Sequence, residues 1–195
     1  MPRRVRELVD DGIYHVFNRG NGRMVLFRDK QDFTVFKNKL HEIKEELNVA
    51  IYHYCLMANH FHLLLKVSKG QDLIEFMHRV QLGYARYFVK KYEFVGHVFQ
   101  ERFRSPRIRE DSYYIQCGRY IERNPVKAGL VSEAESYGES SASFYSLGTR
   151  NDLVTPNMFY AGMGSTEEER RQSYRIFLKV EEPYADMIDS ALTRA

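Results

Sequence analysis

Two histidines, His60 and His62, stand two residues apart in the apolar segment MANHFHLLL (57–65). Side chains alternate sides along a β-strand, so residues two apart share a face. On a strand, both imidazoles would point the same way and the intervening residues would point into a core. Two imidazoles on one face can hold a divalent metal ion. Two polar side chains on a half-solvated strand are the simpler alternative, because an H-x-H pair carries little information by itself.

A second candidate pair lies in DSYYIQCGRYIERNPVKAGLV (111–131), which has helical spacing. Tyr120 and Asn124 are four residues apart, so they share a helix face. A carboxamide oxygen can be a third metal ligand. A phenol, whose pKa is normally about 10, can attack a phosphate that a metal polarises. Each residue also has a structural explanation: Tyr120 as a core tyrosine, and Asn124 as a helix-terminal residue before Pro125 whose amide satisfies free carbonyls.

Other residues compete for these roles. Tyr113 and Tyr114 lie about two turns earlier on the same predicted helix, and Gln116, one turn before Tyr120, is an alternative amide ligand. His15 and His53 fall in neighbouring predicted strands, where we interpret them as sheet histidines.

Basic residues are concentrated in RFRSPRIR (102–109). Arginines at alternate positions of a strand could follow one phosphate backbone, although charge on an edge strand also protects it against aggregation. Contacts of this kind would position a nucleic acid without choosing its sequence. The predicted phosphate contacts are Arg102, Arg104, Arg107 and Arg109, with Arg19, Arg23, Lys66, Arg119 and Arg123 as weaker candidates.

Seven elements must position these groups. The apolar spacing predicts strands at 12–20, 48–57 and 60–67 and helices at 29–47 and 72–92. It then predicts an extended segment at 97–109 and a third helix that begins near Asp111 or Ser112 and stops before Pro125. The order β-α-β-β-α-β-α predicts an α+β fold: a ferredoxin-like (RRM-like) antiparallel sheet with helices on one face.

Composition and charge indicate a globular protein whose first 130 residues are basic. The 195 residues are 44% hydrophobic and 28% charged, typical of a globular protein, and no apolar run is long enough to span a membrane. Residues 1–130 hold 23 Lys and Arg against 15 Asp and Glu, a net charge of +8, whereas the last 65 carry −5. A basic body suggests a polyanionic partner. The charged N-terminus and the unpaired Cys55 and Cys117 predict a cytoplasmic protein with reduced thiols.

These motifs together resemble the HUH single-tyrosine transposases, an insertion-sequence transposase superfamily. The resemblance rests on L-M-A-N before H-F-H and on R-Y-I-E-R-N-P-V-K-A-G-L-V, and it is greatest to the REP-associated tyrosine transposases. The blocks IYHVFNRGNGRMVLFRD and GHVFQERFRSPRI are also similar to this family, so the resemblance covers about residues 10–131.

The resemblance implies a fold of the HUH endonuclease type and a role for each motif residue. His60, His62 and Asn124 would bind Mg²⁺ or Mn²⁺, and Tyr120 would attack a DNA phosphodiester to form a 5′-phosphotyrosine and a free 3′-OH. Residues 1–131 would be the catalytic domain. Residues 132–195, which begin with the Ser- and Gly-rich segment SEAESYGESSASFYSLG, would be a linker and an acidic, partly helical extension with a helix near 167–182.

The implied substrate is single-stranded DNA that carries hairpins or palindromic repeats, cleaved and rejoined by a cytoplasmic, nucleoid-associated enzyme. A catalytically silent module that binds hairpin DNA or RNA is the alternative, and an HUH replication initiator or relaxase is a third class with the same chemistry. The sequence leaves open whether the protein is a monomer or a homodimer that exchanges its tyrosine helix.

Overall fold

The computed structural model describes residues 6–180. In this part of the chain the strands are β1 (Ile13–Arg19), β2 (Ala50–Met57), β3 (His60–Lys66) and β4 (Arg107–Ile108). The helices are α1 (Lys30–Glu46), α2 (Asp72–Tyr92), α3 (Asp111–Lys127), α4 (Ala142–Leu147), α5 (Met158–Ala161) and α6 (Glu167–Lys179). No helix among the described residues is long and apolar enough to cross a membrane.

The four described strands form one antiparallel sheet in the order β2-β3-β1-β4. The strand β3 is therefore central, between β2 and β1. Its residue His62 lies opposite Phe17 of β1 and Cys55 of β2. The element order and the sheet confirm the predicted α+β, ferredoxin-like fold.

One face of the sheet is covered by α1 and α2, as predicted. Both helices carry apolar residues at spacings of three and four, which places them on the side that meets the sheet. The central strand contributes its odd-numbered residues Phe61, Leu63 and Leu65, all fully buried. The helices contribute, among others, Phe36, Leu40, Ile43, Phe76, Val80 and Tyr84.

The other face is covered by α3, so the helices do not all lie on one side of the sheet. Buried residues of β2 and β3, including Cys55 and Leu64, pack there against Tyr114, Cys117 and Ile121 of α3. Both cysteines are free thiols. The prediction that His60 and His62 share a face opposite to Phe61 is confirmed. That face lies beneath α3, the helix that carries Tyr120.

The segment at 97–109 is less regular than an unbroken strand. It contacts β1 through isolated bridges, Phe17 with Arg104 and Gly20 with Phe99, before the two-residue strand β4. Pro106 interrupts the ladder because it has no backbone N–H, although its carbonyl accepts a hydrogen bond from the His15 amide. Alternation of side chains therefore does not run through the four arginines of this segment.

Residues 132–148, which the Ser- and Gly-rich composition predicts to be a loop or linker, are folded against the sheet. They contain a 3-10 turn and α4, and Ala142 and Tyr145 join the main hydrophobic core together with Tyr174 and Leu178 of α6. The final helix α6 agrees with the predicted one up to Lys179, and the acidic tail from residue 181 lies outside the described residues.

This extension also covers the outer edge of β2. The amides of Leu56 and Ser141 donate to the carbonyls of Glu139 and Tyr54, and the Thr155 amide donates to Ile51. A sheet edge with free backbone groups is prone to pair with other chains. Residues 139–155 hydrogen-bond the backbone groups at the β2 edge that would otherwise be exposed.

A buried carboxylate fixes α3 to the rest of the molecule. Glu122 is fully buried and is bonded to the His53 ring at 2.8 Å, the Ser141 hydroxyl at 2.5 Å and the Tyr174 hydroxyl at 2.6 Å. These partners come from β2, the start of α4, and α6. Burial of a carboxylate is costly unless its oxygens are hydrogen-bonded, and here both oxygens are.

Candidate active site

His60, His62, Tyr120 and Asn124 line one cavity of about 660 Å³ between the sheet and α3. The two histidines lie two apart on β3, and the tyrosine and asparagine lie one turn apart on α3. The Tyr120 ring stands edge-on to the His62 ring, with 5.8 Å between centroids. The structure thus brings together residues that the sequence separates by about sixty positions.

The orientation of Asn124 is set by the proline that follows it. Pro125 lies inside α3 and has no N–H to donate to the Ile121 carbonyl. The Asn124 side-chain amide donates instead to the carbonyls of Tyr120, at 2.8 Å, and Ile121, at 3.3 Å. The prediction that the helix stops before Pro125 is wrong because this side chain replaces the missing donor. The amide nitrogen is held against the helix, which leaves the oxygen for the cavity.

The Nδ1 atoms of both histidines are engaged. His60 Nδ1 lies 2.7 Å from the Asn59 side-chain oxygen, and His62 Nδ1 lies 2.9 Å from Nε2 of His15. An amide oxygen only accepts, so His60 carries its proton on Nδ1 and has a lone pair on Nε2. Because Nδ1 is engaged in both rings, Nε2 is the nitrogen through which either ring could bind a ligand.

Burial keeps both imidazoles neutral at pH 7. It lowers the pKa of His60, against which hydrogen bonding with Asn124 acts in the opposite direction, and Arg19 lowers it further. Burial also lowers the pKa of His62 well below its usual range, with further lowering by His15 and His60. A neutral imidazole is the form that binds a metal ion.

The donor set of this cavity fits a divalent cation. Two neutral imidazoles and the Asn124 carboxamide oxygen are nitrogen and oxygen donors of the kind that Mn²⁺ accepts. The described residues contain no group of three His, Cys, Asp or Glu placed to bind a metal ion, so an amide such as that of Asn124 would complete a three-donor set with the two histidines.

The competing residues lie outside the cavity. Tyr114 is buried against Tyr52 and Phe159, and Tyr113 is half-buried, with its pKa raised by burial to about 12. The Gln116 side-chain oxygen accepts a hydrogen bond from Arg119. Among the tyrosines of α3, Tyr120 is therefore the one that faces the two histidines.

The predicted phosphate contacts fall into two groups. Arg102 and Arg104 line the cavity, as do the weaker candidates Arg19 and Arg23. Arg19 also donates to the Gln100 side chain at 2.6 Å. These side chains surround the motif residues with positive charge.

The structure does not bring the other predicted contacts to the cavity. Arg107 and Arg109 both donate to the Glu7 carboxylate at 2.6 Å, and Lys66 pairs with Asp11. Arg119 is buried and donates to the Phe177 carbonyl, and Arg123 donates to that of Leu178, so both hold α6. These arginines therefore stabilise packing or the N-terminal segment.

Sequence reasoning missed two residues of the site. Lys127, two turns after Tyr120, lines the cavity and places its Nζ 5.9 Å from the centroid of the Tyr120 ring. His15 lies beneath the site, bonded to His62. The i, i+7 spacing on α3 was a usable signal for Lys127, whereas the position of His15 depends on the register between β1 and β3.

Comparisons with known proteins identify the family and the fold. Residues 8–124 match the model of the transposase family described as IS200-like. No curated protein sequence matches the chain.

Two solved structures are similar. One is that of a REP-associated tyrosine transposase bound to a REP hairpin, with a TM-score of 0.66, 16% identity, and coverage of 80% of this chain and 93% of that one. The other, described as a transposase from Deinococcus radiodurans, has a TM-score of 0.44 and 17% identity over 63% of this chain and 97% of that one.

The family match covers more than half of the chain and includes both histidines, Tyr120 and Asn124. The first of the two structures shares the four-stranded α+β architecture, which confirms the fold that the resemblance implies. The chain therefore belongs to the IS200-like transposase family and is a tyrosine transposase, a DNA-binding enzyme of DNA recombination.

Proposed function

We propose that this transposase cleaves and rejoins single-stranded DNA that carries a hairpin, through a 5′-phosphotyrosine on Tyr120. The observation that carries the proposal is the convergence of His60, His62, Asn124 and Tyr120 on one cavity. The similar REP-associated tyrosine transposase is bound to a REP hairpin, and we take a hairpin of this kind as the DNA partner.

In the cleavage step the Tyr120 oxygen attacks the phosphorus of a DNA phosphodiester. A bond forms between phosphorus and the phenolic oxygen, and the bond from phosphorus to the 3′ oxygen breaks. The phenolic proton passes through water to the departing oxygen, which leaves as a 3′-OH. Because the phosphotyrosine retains the energy of the phosphodiester, a 3′-OH can later attack it and release the tyrosine without ATP.

His60, His62 and Asn124 would hold the divalent cation. When bound, it would polarise a phosphoryl oxygen and offset the charge that develops there during attack. Two imidazoles with one amide oxygen favour Mn²⁺ over Mg²⁺, which prefers oxygen ligands and retains its water. The neutral state of both imidazoles means that no proton has to leave them at pH 7.

The basic rim of the cavity would hold the DNA backbone on either side of the reacting phosphate. Arg19, Arg102, Arg104 and Lys127 carry like charges around one concave surface, which attracts a polyanion and is screened by salt. A single strand can bend its phosphate into this cavity, whereas bending a duplex has a large elastic cost.

The catalytic function belongs to residues 1–131, within which all the lining residues of the cavity fall. The described part of the extension beyond them holds α3 through Glu122, Arg119 and Arg123. We assign it the role of fixing the tyrosine helix over the histidines.

A labelling experiment tests the proposal. Synthetic single-stranded hairpins, labelled at the 3′ end, are incubated with the protein and Mn²⁺ and separated on a denaturing gel. A 5′-phosphotyrosine predicts a protein-linked band that keeps the 3′ label. Tyr120→Phe should abolish this band, while Tyr113→Phe, a matched change on the same helix outside the cavity, should leave it intact.

Two outcomes would contradict the proposal. If a panel of hairpins gives retarded complexes on native gels but no covalent band with Mn²⁺ or Mg²⁺, the chain is a hairpin-binding module without strand-cleaving activity. A covalent band that survives Tyr120→Phe would move the nucleophile to another side chain.

A further inference from the structure

We propose that His15 is a positioning residue for the metal site: it accepts the Nδ1–H of His62 and so keeps the Nε2 lone pair of His62 for the cation. This inference rests on the proposed function, because it concerns a residue beneath the proposed metal ligands. It assigns a role to a strand β1 histidine that lies outside the H-x-H motif.

The position of His15 supports this role. It lies on β1 opposite Leu64, diagonal to His62, and is fully buried on the face covered by α3. Its Nε2 lies 2.9 Å from Nδ1 of His62, and its ring centroid lies 5.1 Å from that of His62 and 6.1 Å from that of Tyr120. His15 is therefore packed under both the candidate ligand and the candidate nucleophile.

Two proton arrangements are possible for this pair of neutral rings. If His15 donates from Nε2, then His62 carries its own proton on Nε2 and cannot bind a metal ion there. If His62 donates from Nδ1, its Nε2 has a lone pair. Metal binding at His62 therefore requires the second arrangement, in which His15 is the acceptor. Outer hydrogen bonds of this kind fix the tautomer and the ring direction of ligating histidines.

Packing alone does not explain an imidazole at position 15. Its Nδ1 is buried and has no hydrogen-bond partner, which lowers stability relative to an apolar side chain of similar size. Leu64, which lies opposite His15 on the same face, shows that this face accommodates an aliphatic residue in full burial. An unsatisfied polar group retained next to a reactive site points to a role in that site.

His53 provides a contrast within the same sheet. It is also buried on the face covered by α3, but both of its ring nitrogens are satisfied: Nδ1 donates to Glu122 at 2.8 Å, and Nε2 accepts from Asn157 at 3.0 Å. Its hydrogen bonds link structural elements and do not reach His62. His53 is therefore the matched control for the loss of a buried imidazole.

The test measures Mn²⁺ binding to the DNA-free protein by the loss of the free-ion signal in electron paramagnetic resonance. His15→Leu should weaken binding by about 10- to 100-fold, which is typical of losing an outer partner of a ligand. His15→Gln, whose side-chain oxygen can accept the same proton, should retain most of the affinity. His53→Gln, whose side-chain amide can still donate to Glu122, should bind like the wild type, and hairpin binding in EDTA should be the same in all variants.

A second measurement reads the tautomer without metal. In protein labelled with ¹⁵N-histidine, NMR should place the proton of His62 on Nδ1 in the wild type and in His15→Gln, and shift it towards Nε2 in His15→Leu. A wild-type proton on Nε2 would overturn the inference, as would full Mn²⁺ affinity in His15→Leu while His62→Ala loses it. If the wild type and His62→Ala bind Mn²⁺ alike, the proposed metal site itself fails, and the tautomer still decides the role of His15.

Discussion

The two faces of the sheet are made by the same strands but contain different kinds of side chain. On the face under α1 and α2, β3 contributes Phe61, Leu63 and Leu65, which belong to the hydrophobic core of that side. On the face under α3, the same strand contributes His60 and His62. Because neighbouring residues of a strand point to opposite sides, residues that stabilise the core alternate along β3 with the histidines of the candidate site.

Buried polar groups occur on both sides of the sheet, and they differ in how completely they are hydrogen-bonded. Asp32, at the start of α1, is buried but fully satisfied: its carboxylate accepts from Lys91, Tyr87, Tyr92 and the Arg28 amide. On the α3 side, His15 keeps one ring nitrogen without a partner. Glu122, also on the α3 side, is satisfied as Asp32 is, so the unpartnered nitrogen is a property of His15 beside the candidate metal ligands and not of that whole side.

The largest effect is expected from a change on the α3 side. His62→Ala should slow formation of the covalent DNA adduct on the order of 10³-fold, since loss of the cation removes several kcal/mol of charge stabilisation. The protein should still unfold cooperatively. The measurement is the rate of adduct formation with Mn²⁺ at saturating hairpin. A rate within tenfold of the wild type would mean that His62 is not a ligand.

The adjacent residue should show the opposite behaviour. Phe61→Ala removes a fully buried ring that packs 5.0 Å from that of Phe36, and it should lower the free energy of unfolding by about 3–5 kcal/mol. Urea denaturation measures this change. Below the unfolding transition, Mn²⁺ affinity should match the wild type. A large loss of Mn²⁺ affinity with little loss of stability would show that the two faces are not independent.

Acid should act on the satisfied carboxylate of the α1–α2 side. Burial raises the pKa of Asp32, but hydrogen bonds from Lys91, Tyr92, the Arg28 amide and Tyr87 outweigh it and lower the pKa from 3.8 to about 2. A lowered carboxylate pKa stabilises the fold above the unfolded value and loses that effect as pH falls from about 4 to 2. We expect a loss of up to about 2 kcal/mol over this window.

The control for this prediction is Asp32→Asn, which removes the titrating group. Its free energy of unfolding should be lower than that of the wild type at pH 5, and the two should converge towards pH 2.5. Parallel curves for the two proteins would show that Asp32 does not carry this pH dependence.

The smallest expected effect concerns the arginines around the cavity. Arg102→Gln should weaken hairpin binding modestly and reduce the slope of log affinity against log salt by about 1, because one phosphate contact is lost. Arg109→Gln, whose partner is Glu7, should leave both quantities unchanged. Fluorescence anisotropy with a labelled hairpin at several salt concentrations measures this difference. Equal slopes for both variants would remove the distinction between the two groups of arginines.

Sequence periodicity is sufficient to predict the helices and strands that carry the site. The predicted α2 at 72–92 matches Asp72–Tyr92, and the hairpin that presents the two histidines, from β2 to β3, matches within two residues. Alternation on β3 correctly assigns Phe61 and His62 to opposite faces. These features are local, because they depend on the pattern within one strand or one helix.

The failures involve partners that are distant in sequence. The segment at 132–148 has the composition of a linker, yet Ser140, Ser141 and Ser146 are fully buried. Ser140 and Ser146 donate to nearby carbonyls, those of Tyr137 and Ala142, but Ser141 donates to the Glu122 carboxylate on α3. A serine-rich composition does not reveal that an acceptor such as Glu122 lies on another element.

The same limit applies to the arginines. Whether an arginine faces phosphate or protein depends on which acceptors the fold places near it, such as Glu7 for Arg107 and the Leu178 carbonyl for Arg123. Neither acceptor is near its arginine in sequence. Charge counting therefore predicts a basic protein but not which cations are available to DNA.

The proline within α3 has a consequence for protein engineering. A procedure that selects for helix propensity would replace Pro125 with alanine, which gives the Ile121 carbonyl a backbone donor. The Asn124 amide would then lose one of the two acceptors that hold it against the helix. The variant would gain helical stability while the Tyr120 carbonyl became the single helix acceptor that holds the carboxamide. The proline that lowers helix propensity at position 125 therefore also leaves the Ile121 carbonyl for the Asn124 amide.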